Sequence, residues 1–136
     1  MPHISKKKLN QDILDGISAQ LTRVFKLSFN KESTELFVGE FFTDTEKLML
    51  AKRLSAILLL GKGMPQDLIC EKLKMSPSTI SKISLNLKWG KYDSILNIAD
   101  KDQNKVLNAL VDILIENLPR PFGRSRGGWG SIYRSH

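Results

Sequence analysis

The stretch from Gln66 to Leu85, QDLICEKLKMSPSTISKISL, constrains the fold more than any other part of the chain, because nearly every position has a mechanical reason. Ile69, Leu73, Ile80 and Ile83 are apolar at spacings that turn two short helices toward one shared core. Cys70 is small and reads as a spacer where those helices cross. Ser76 is placed to cap the second helix by accepting a backbone N–H, and Pro77 suits the first helical position, where no N–H is needed. Ser78, Thr79, Ser81 and Lys82 then fall on the side away from Ile80 and Ile83, where short hydroxyls and a cation can reach base edges and phosphates. Helical hairpins with an apolar inside also occur in proteins that bind nothing. Here cap, apolar period, crossing residue and reading face agree in one register, and the pattern is that of a helix-turn-helix over residues 65–88.

The chain has 136 residues, 41% of them hydrophobic, enough for one domain with a core that needs neither disulfides nor metal. A single Cys allows no internal bridge. The two histidines, His3 and His136, lie at opposite ends without a neighbouring Cys cluster, so no zinc site is expected. The longest apolar run, Ala56 to Leu60, is far too short to span a bilayer, and the basic N-terminal residues precede no long apolar stretch; a cytoplasmic location is expected. The formal net charge of +7 favours a polyanionic partner. Its distribution sharpens the point: residues 41–90 carry +4, with Lys72, Lys74 and Lys88 beside Lys82 able to neutralise phosphates. Another +4 sits in residues 120–136, where Arg120, Arg124, Arg126 and Arg134 occur with no acid. That Gly/Arg-rich segment cannot fold alone and reads as a flexible basic tail beyond a helical domain of residues 1–119.

Apolar residues at steps of three and four from Leu9 to Leu27 predict an amphipathic helix over 6–28 whose stripe needs a partner. Asn30 or Ser33 can cap a second short helix ending near Gly39. Thr43 with Glu46 forms a T-x-x-E capping box that opens a third helix, running from about Asp44 to Leu60. Its second half is apolar nearly all round and must be buried on every side. A second copy of the chain packing against it meets that need and predicts a homodimer; a central helix in a monomeric bundle is the alternative. Gly61 and Gly63 break this helix ahead of the helix-turn-helix. Trp89 and Gly90 mark the next boundary, with Trp89 expected to seal the junction to a last helix that begins at Asp100 to Asp102 and is stopped by Pro119. Strand-like alternation is absent, so the fold expected is all-α with six helices.

The segment TDTEKLMLAKRLSAILLLGKGMPQDLICEKLKMSPSTISKISLNLK, Thr43 to Lys88, resembles the Trp repressor family. The resemblance is carried by the T-x-x-E start, the A-K-R at 51–53, the Leu-rich helix leading to Gly, M-x-Q-x-L at 64–68 and the S-T-I-S-K core at 78–82. It implies a six-helix, intertwined dimer presenting two reading helices to DNA on a two-fold axis. Members that sense tryptophan hold its carboxylate with residues matching Thr43 and Arg53 and stack its indole on an Arg matching Lys82. Lys82 is a compact point charge rather than a planar guanidinium, and Ile83 stands where the sensors carry Gly. The resemblance therefore implies at most a small-molecule effector at Thr43, Arg53 and Lys82, a set to which tryptophan is poorly matched. Read without it, Thr43 is a helix cap and Arg53 a phosphate contact or half of an ion pair.

Together these features point to a DNA-binding transcriptional regulator, a repressor that binds a two-fold symmetric operator as a homodimer. Its DNA-contacting residues would be Lys72, Lys74, Ser76, Pro77, Ser78, Thr79, Ser81, Lys82 and Lys88. No enzyme is indicated: the serines at 76, 78 and 81 have no nearby His, and no Gly-rich phosphate loop follows a strand. Neither cofactor nor metal is implied. The alternative is an RNA-binding or protein-interaction module acting through the segment GRSRGGWG.

Overall fold

A computed structural model of the chain describes residues 8–114, which form seven α-helices and no strand. The basic tail, residues 120–136, lies outside them, as does the last part of the expected final helix. The chain divides into two compact units after Lys47, within the third helix.

The first unit holds α1 (Gln11–Leu27), α2 (Lys31–Phe41) and the start of α3 (Asp44–Gly61). Asn10 caps α1 by accepting from the Asp12 N–H at 2.8 Å, and Asn30, rather than Ser33, caps α2 by accepting from the Ser33 N–H at 2.9 Å. The Thr34 hydroxyl donates back to the carbonyls of Ser28 and Asn30, tying α2 to the preceding turn. Gly39 lies near the end of α2, which continues to Phe41. Phe25, Phe37, Phe41 and Phe42 form a ring cluster, with edge-on pairs at 5.1 Å and stacked pairs at 5.1 and 6.2 Å. Among the described residues, no apolar side chain of this unit is fully buried; the α1 stripe of Ile13, Ile17, Leu21 and Val24 remains exposed along its whole length.

Thr43 opens α3 with the expected reciprocal box: its hydroxyl accepts from the Glu46 N–H at 3.1 Å, and its own N–H donates to Glu46 Oε1 at 3.0 Å. Those bonds hold the Glu46 carboxyl below its ordinary range, chiefly through the Thr43 N–H.

The second unit comprises the rest of α3, α4 (Gln66–Leu73), α5 (Pro77–Lys88), α6 (Asp93–Lys101) and α7 (Lys105–Leu114). Its core gathers Ala56, Ile57, Leu58 and Leu59 of α3, Met64, Ile69 and Leu73, Ile80 and Ile83, Ala99, and Leu107 and Val111. Burial of five consecutive α3 positions, Ser55–Leu59, meets the expectation of an encircled helix there, whereas Leu48, Leu50 and Leu54 stay exposed. Gly61 lets α6 approach closely, since a Cβ there would sit 2.6 Å from Leu96 Cδ2.

The helix expected to begin at Asp100 to Asp102 corresponds to α7, which starts at Lys105, and a further helix, α6, occupies residues 93–101, where none was expected. Gln103 and Asn104 both adopt positive φ, 57° and 59°, which breaks the chain between α6 and α7 and makes seven helices where six were expected. No described helix is long and apolar enough to cross a membrane.

Candidate nucleic-acid interface

The helix-turn-helix is built from α4 and α5, which pack through Ile69, Leu73, Ile80 and Ile83, all buried. Cys70 is half-buried against the same core, as a spacer should be. The turn is tight because Lys74 takes a left-handed conformation, φ 54° and ψ 50°, letting the Met75 N–H donate to the Cys70 carbonyl at 3.2 Å. The Lys52 ammonium donates to the Lys74 carbonyl at 3.4 Å, so a cation from α3 meets the negative end of α4.

Ser76 and Pro77 start α5 as their chemistry requires: the Ser76 hydroxyl accepts from the Thr79 N–H at 3.2 Å, and Pro77 sits in the first turn. The same hydroxyl lies 2.8 Å from that of Thr79 and 3.2 Å from that of Ser78, so three hydroxyls cluster at the helix tip. With Ile80, Ile83 and half-buried Leu87 facing the core, residues 78, 82, 85 and 89 succeed one another at steps of four, three and four and share the opposite stripe.

Lys72, Lys74, Ser76, Pro77, Ser78, Thr79, Ser81, Lys82 and Lys88 are all exposed. Together they surround one end and one side of α5, and α5 itself carries no acid. Lys82 has no hydrogen-bond or ion-pair partner among the described residues. Such a surface can offer hydroxyls to base edges and ammonium groups to phosphates. A family model, that of the Trp repressor protein, matches residues 18–109, well over half of the chain.

The chain belongs to the Trp repressor family. Members are helix-turn-helix, DNA-binding regulators of transcription, and membership implies duplex DNA as partner rather than a reaction to catalyse. The family match extends on both sides of the Thr43 to Lys88 segment, taking in most of α1 and all of α6. No curated protein and no solved structure matches the chain.

The residues matching the family's effector ligands are placed less uniformly. Thr43 is exposed and engaged as the cap of α3, in the first unit; Arg53 and Lys82 are exposed in the second. Ile83 is buried in the core.

Two features were not foreseen. Trp89 does not seal a junction: it is 80% exposed, more than any other large apolar side chain among the described residues, because helical phase puts it on the outward stripe. The signal was present in its spacing from Ser78, Lys82 and Leu85. Gln66, the first residue of α4, reaches across to α5: its Oε1 accepts from the Ser81 hydroxyl at 3.3 Å, and its Nε2 donates to the Ser84 hydroxyl at 3.2 Å. No local pattern announces a contact between residues 15 and 18 positions apart.

Proposed function

We propose that two copies of the chain form a two-fold symmetric dimer that sets α5 of each into successive major grooves of an operator and represses transcription by occluding a promoter. The observation that carries this reading is the outward face of α5, fixed by a buried opposite face and free of acids, with Lys82 and the Ser76, Ser78 and Thr79 hydroxyls exposed on or beside it. Lys72, Lys74, Lys82 and Lys88 neutralise phosphates, while Ser78, Thr79 and Ser81 address base edges directly or through water. Ser76 and Pro77 hold the tip at the groove floor.

Dimerisation is supported by what the first unit leaves uncovered. Ile13, Ile17, Leu21 and Val24 form a stripe on α1 that a second copy would bury, and Leu48, Leu50 and Leu54 of α3 are exposed as well. Thr43 serves as cap and Arg53 as a phosphate contact. Burial of Ile83 directly after Lys82 supports leaving tryptophan out of the mechanism.

Selection of bound sites from random duplexes tests the reading. The expected product is a palindrome with half-sites about 34–36 Å apart, the spacing of helix-turn-helix dimers, Trp repressor among them. Lys82→Ala should weaken all duplexes alike, whereas Ser78→Ala should alter base preference. In sedimentation, Leu21→Glu should give monomers with much reduced affinity. Asymmetric sites, or a monomeric wild-type chain that binds as tightly as any variant, would contradict the mechanism.

A further inference from the structure

The bridge from Gln66 to α5 bears on what the reading face can recognise. A serine hydroxyl has one proton and two lone pairs, and the proton of Ser81 is directed to Gln66 Oε1 at 3.3 Å. The other end of the same amide is engaged separately, with Nε2 donating to the Ser84 hydroxyl one helical turn further on. The amide thus holds both serines on the flank of α5 nearest α4. Ser81 is exposed beside Lys82, with only its lone pairs left for a partner in the groove.

In the major groove, polarity of this kind discriminates. Adenine N6 and cytosine N4 offer amino protons, whereas guanine and thymine offer carbonyl acceptors in the corresponding positions. An unconstrained serine can rotate its hydroxyl to suit either, which is why serine carries little information when free. A serine whose proton is already committed cannot.

We propose that Gln66 is a positioning residue that fixes Ser81 as an acceptor, so that α5 selects a base with an exocyclic amino group, adenine or cytosine, at the step beneath Ser81. The inference rests on the reading that α5 enters the major groove, and it assigns Gln66, which touches no base itself, control over one position of the half-site.

The test uses the full chain and its selected operator, with the amino group deleted one base at a time: purine in place of adenine, pyrimidin-2-one in place of cytosine. Wild type should lose roughly 5- to 10-fold in affinity at one position per half-site, the lower end of what a base-specific hydrogen bond contributes. Ser81→Ala should be insensitive to that deletion. Gln66→Ala should lower overall affinity little yet tolerate guanine or thymine there, while Gln66→Glu, which keeps an acceptor for the Ser81 proton, should retain the amino preference. The ratio between bases is the readout, since a merely structural loss would weaken all duplexes equally. Selection of guanine or thymine beneath Ser81 by the wild-type protein, or an undiminished preference in Gln66→Ala, overturns the proposal and leaves the groove reading standing. Equal affinity of the wild type and Lys82→Ala for every duplex overturns both.

Discussion

Lys74 is a lysine where the backbone asks for glycine, so replacing it should strengthen the fold while weakening DNA binding. Its φ of 54° and ψ of 50° lie in the left-handed region, which costs an L residue roughly 1–2 kcal/mol. Glycine escapes that cost but brings an unfolded chain freer by about 0.5–1 kcal/mol. Lys74→Gly should therefore gain about 0.5–1 kcal/mol, a rise in Tm of about 2–5 °C for a domain of this size. The same change removes one exposed cation from each copy. If both contact phosphate, the slope of log K against log salt should become shallower by about 0.9 per copy, or about 1.8 for the dimer. Lys74→Ala separates the two effects, because its Cβ meets the same backbone strain: Tm should stay within about 1 °C, while the salt slope falls as far as in the glycine variant. The bond from Lys52 to the Lys74 carbonyl involves no Lys74 side-chain atom and should survive in both. Thermal unfolding by circular dichroism and anisotropy titrations across a salt series measure the two quantities. A glycine variant that melts lower, or an alanine variant that gains as much as glycine, would refute the strain argument; unchanged slopes in both would remove Lys74 from the phosphate contacts.

Other perturbations follow from single bonds. Ser76→Ala removes the α5 cap and should cost about 1 kcal/mol, seen as a lower midpoint in urea, with affinity reduced on all duplexes alike. The Glu46 carboxyl is held below its ordinary value of 4.5 by the Thr43 N–H and hydroxyl bonds. Because its folded value lies below its unfolded one, its contribution is complete above about 4.5 and disappears as pH falls through the lower folded value. Glu46→Gln keeps an acceptor without a titrating group, so its stability should decline less steeply than wild type below pH 4.5; superimposable acid limbs would count against the box. Gly61→Ala should force Leu96 aside, and a double-mutant cycle with Leu96→Ala should show a coupling of at least about 0.5 kcal/mol. Strict additivity would mean that the two helices have room to spare.

How much of this was legible in sequence depended on how locally each feature is determined. The helix-turn-helix could be read because its determinants lie within a few helical turns: Ser76 and Pro77 fix the start of α5, and Ile69, Leu73, Ile80 and Ile83 fix its phase. The Thr43 and Glu46 box was equally readable, needing only a spacing of three. Helix α6 was not, because Tyr92 at its start makes no side-chain capping bond, and the turn that ends it has Gln103 and Asn104 at positive φ without a glycine to announce it. Lys74 hid the tight turn in the same way. Trp89 was misplaced by treating hydrophobicity as a prediction of burial, although its phase on α5 argued otherwise. The Gln66 bridge depends on how α4 crosses α5, which no single helix encodes.

The uneven distribution of burial has a mechanical consequence for recognition. In the second unit, apolar side chains from five helices close around Ile57, Leu59, Ile69 and Ile80, so the α5 surface is backed by a packed core that holds its hydroxyls in fixed register. Among the described residues, the first unit packs a phenylalanine cluster and leaves its α1 stripe exposed, the surface through which the proposed dimer would form. One reading helix with a handful of lysines would bind duplexes at no better than about 10⁻⁴ to 10⁻⁶ M at physiological salt. Joining two through a shared interface makes the second contact intramolecular, which can raise affinity by about 10² to 10⁴ without any new contact to the bases. In the proposed dimer, selectivity would follow from the same division of labour: the rigid unit would decide which bases are acceptable, and the associating unit would require two such sites one helical turn apart.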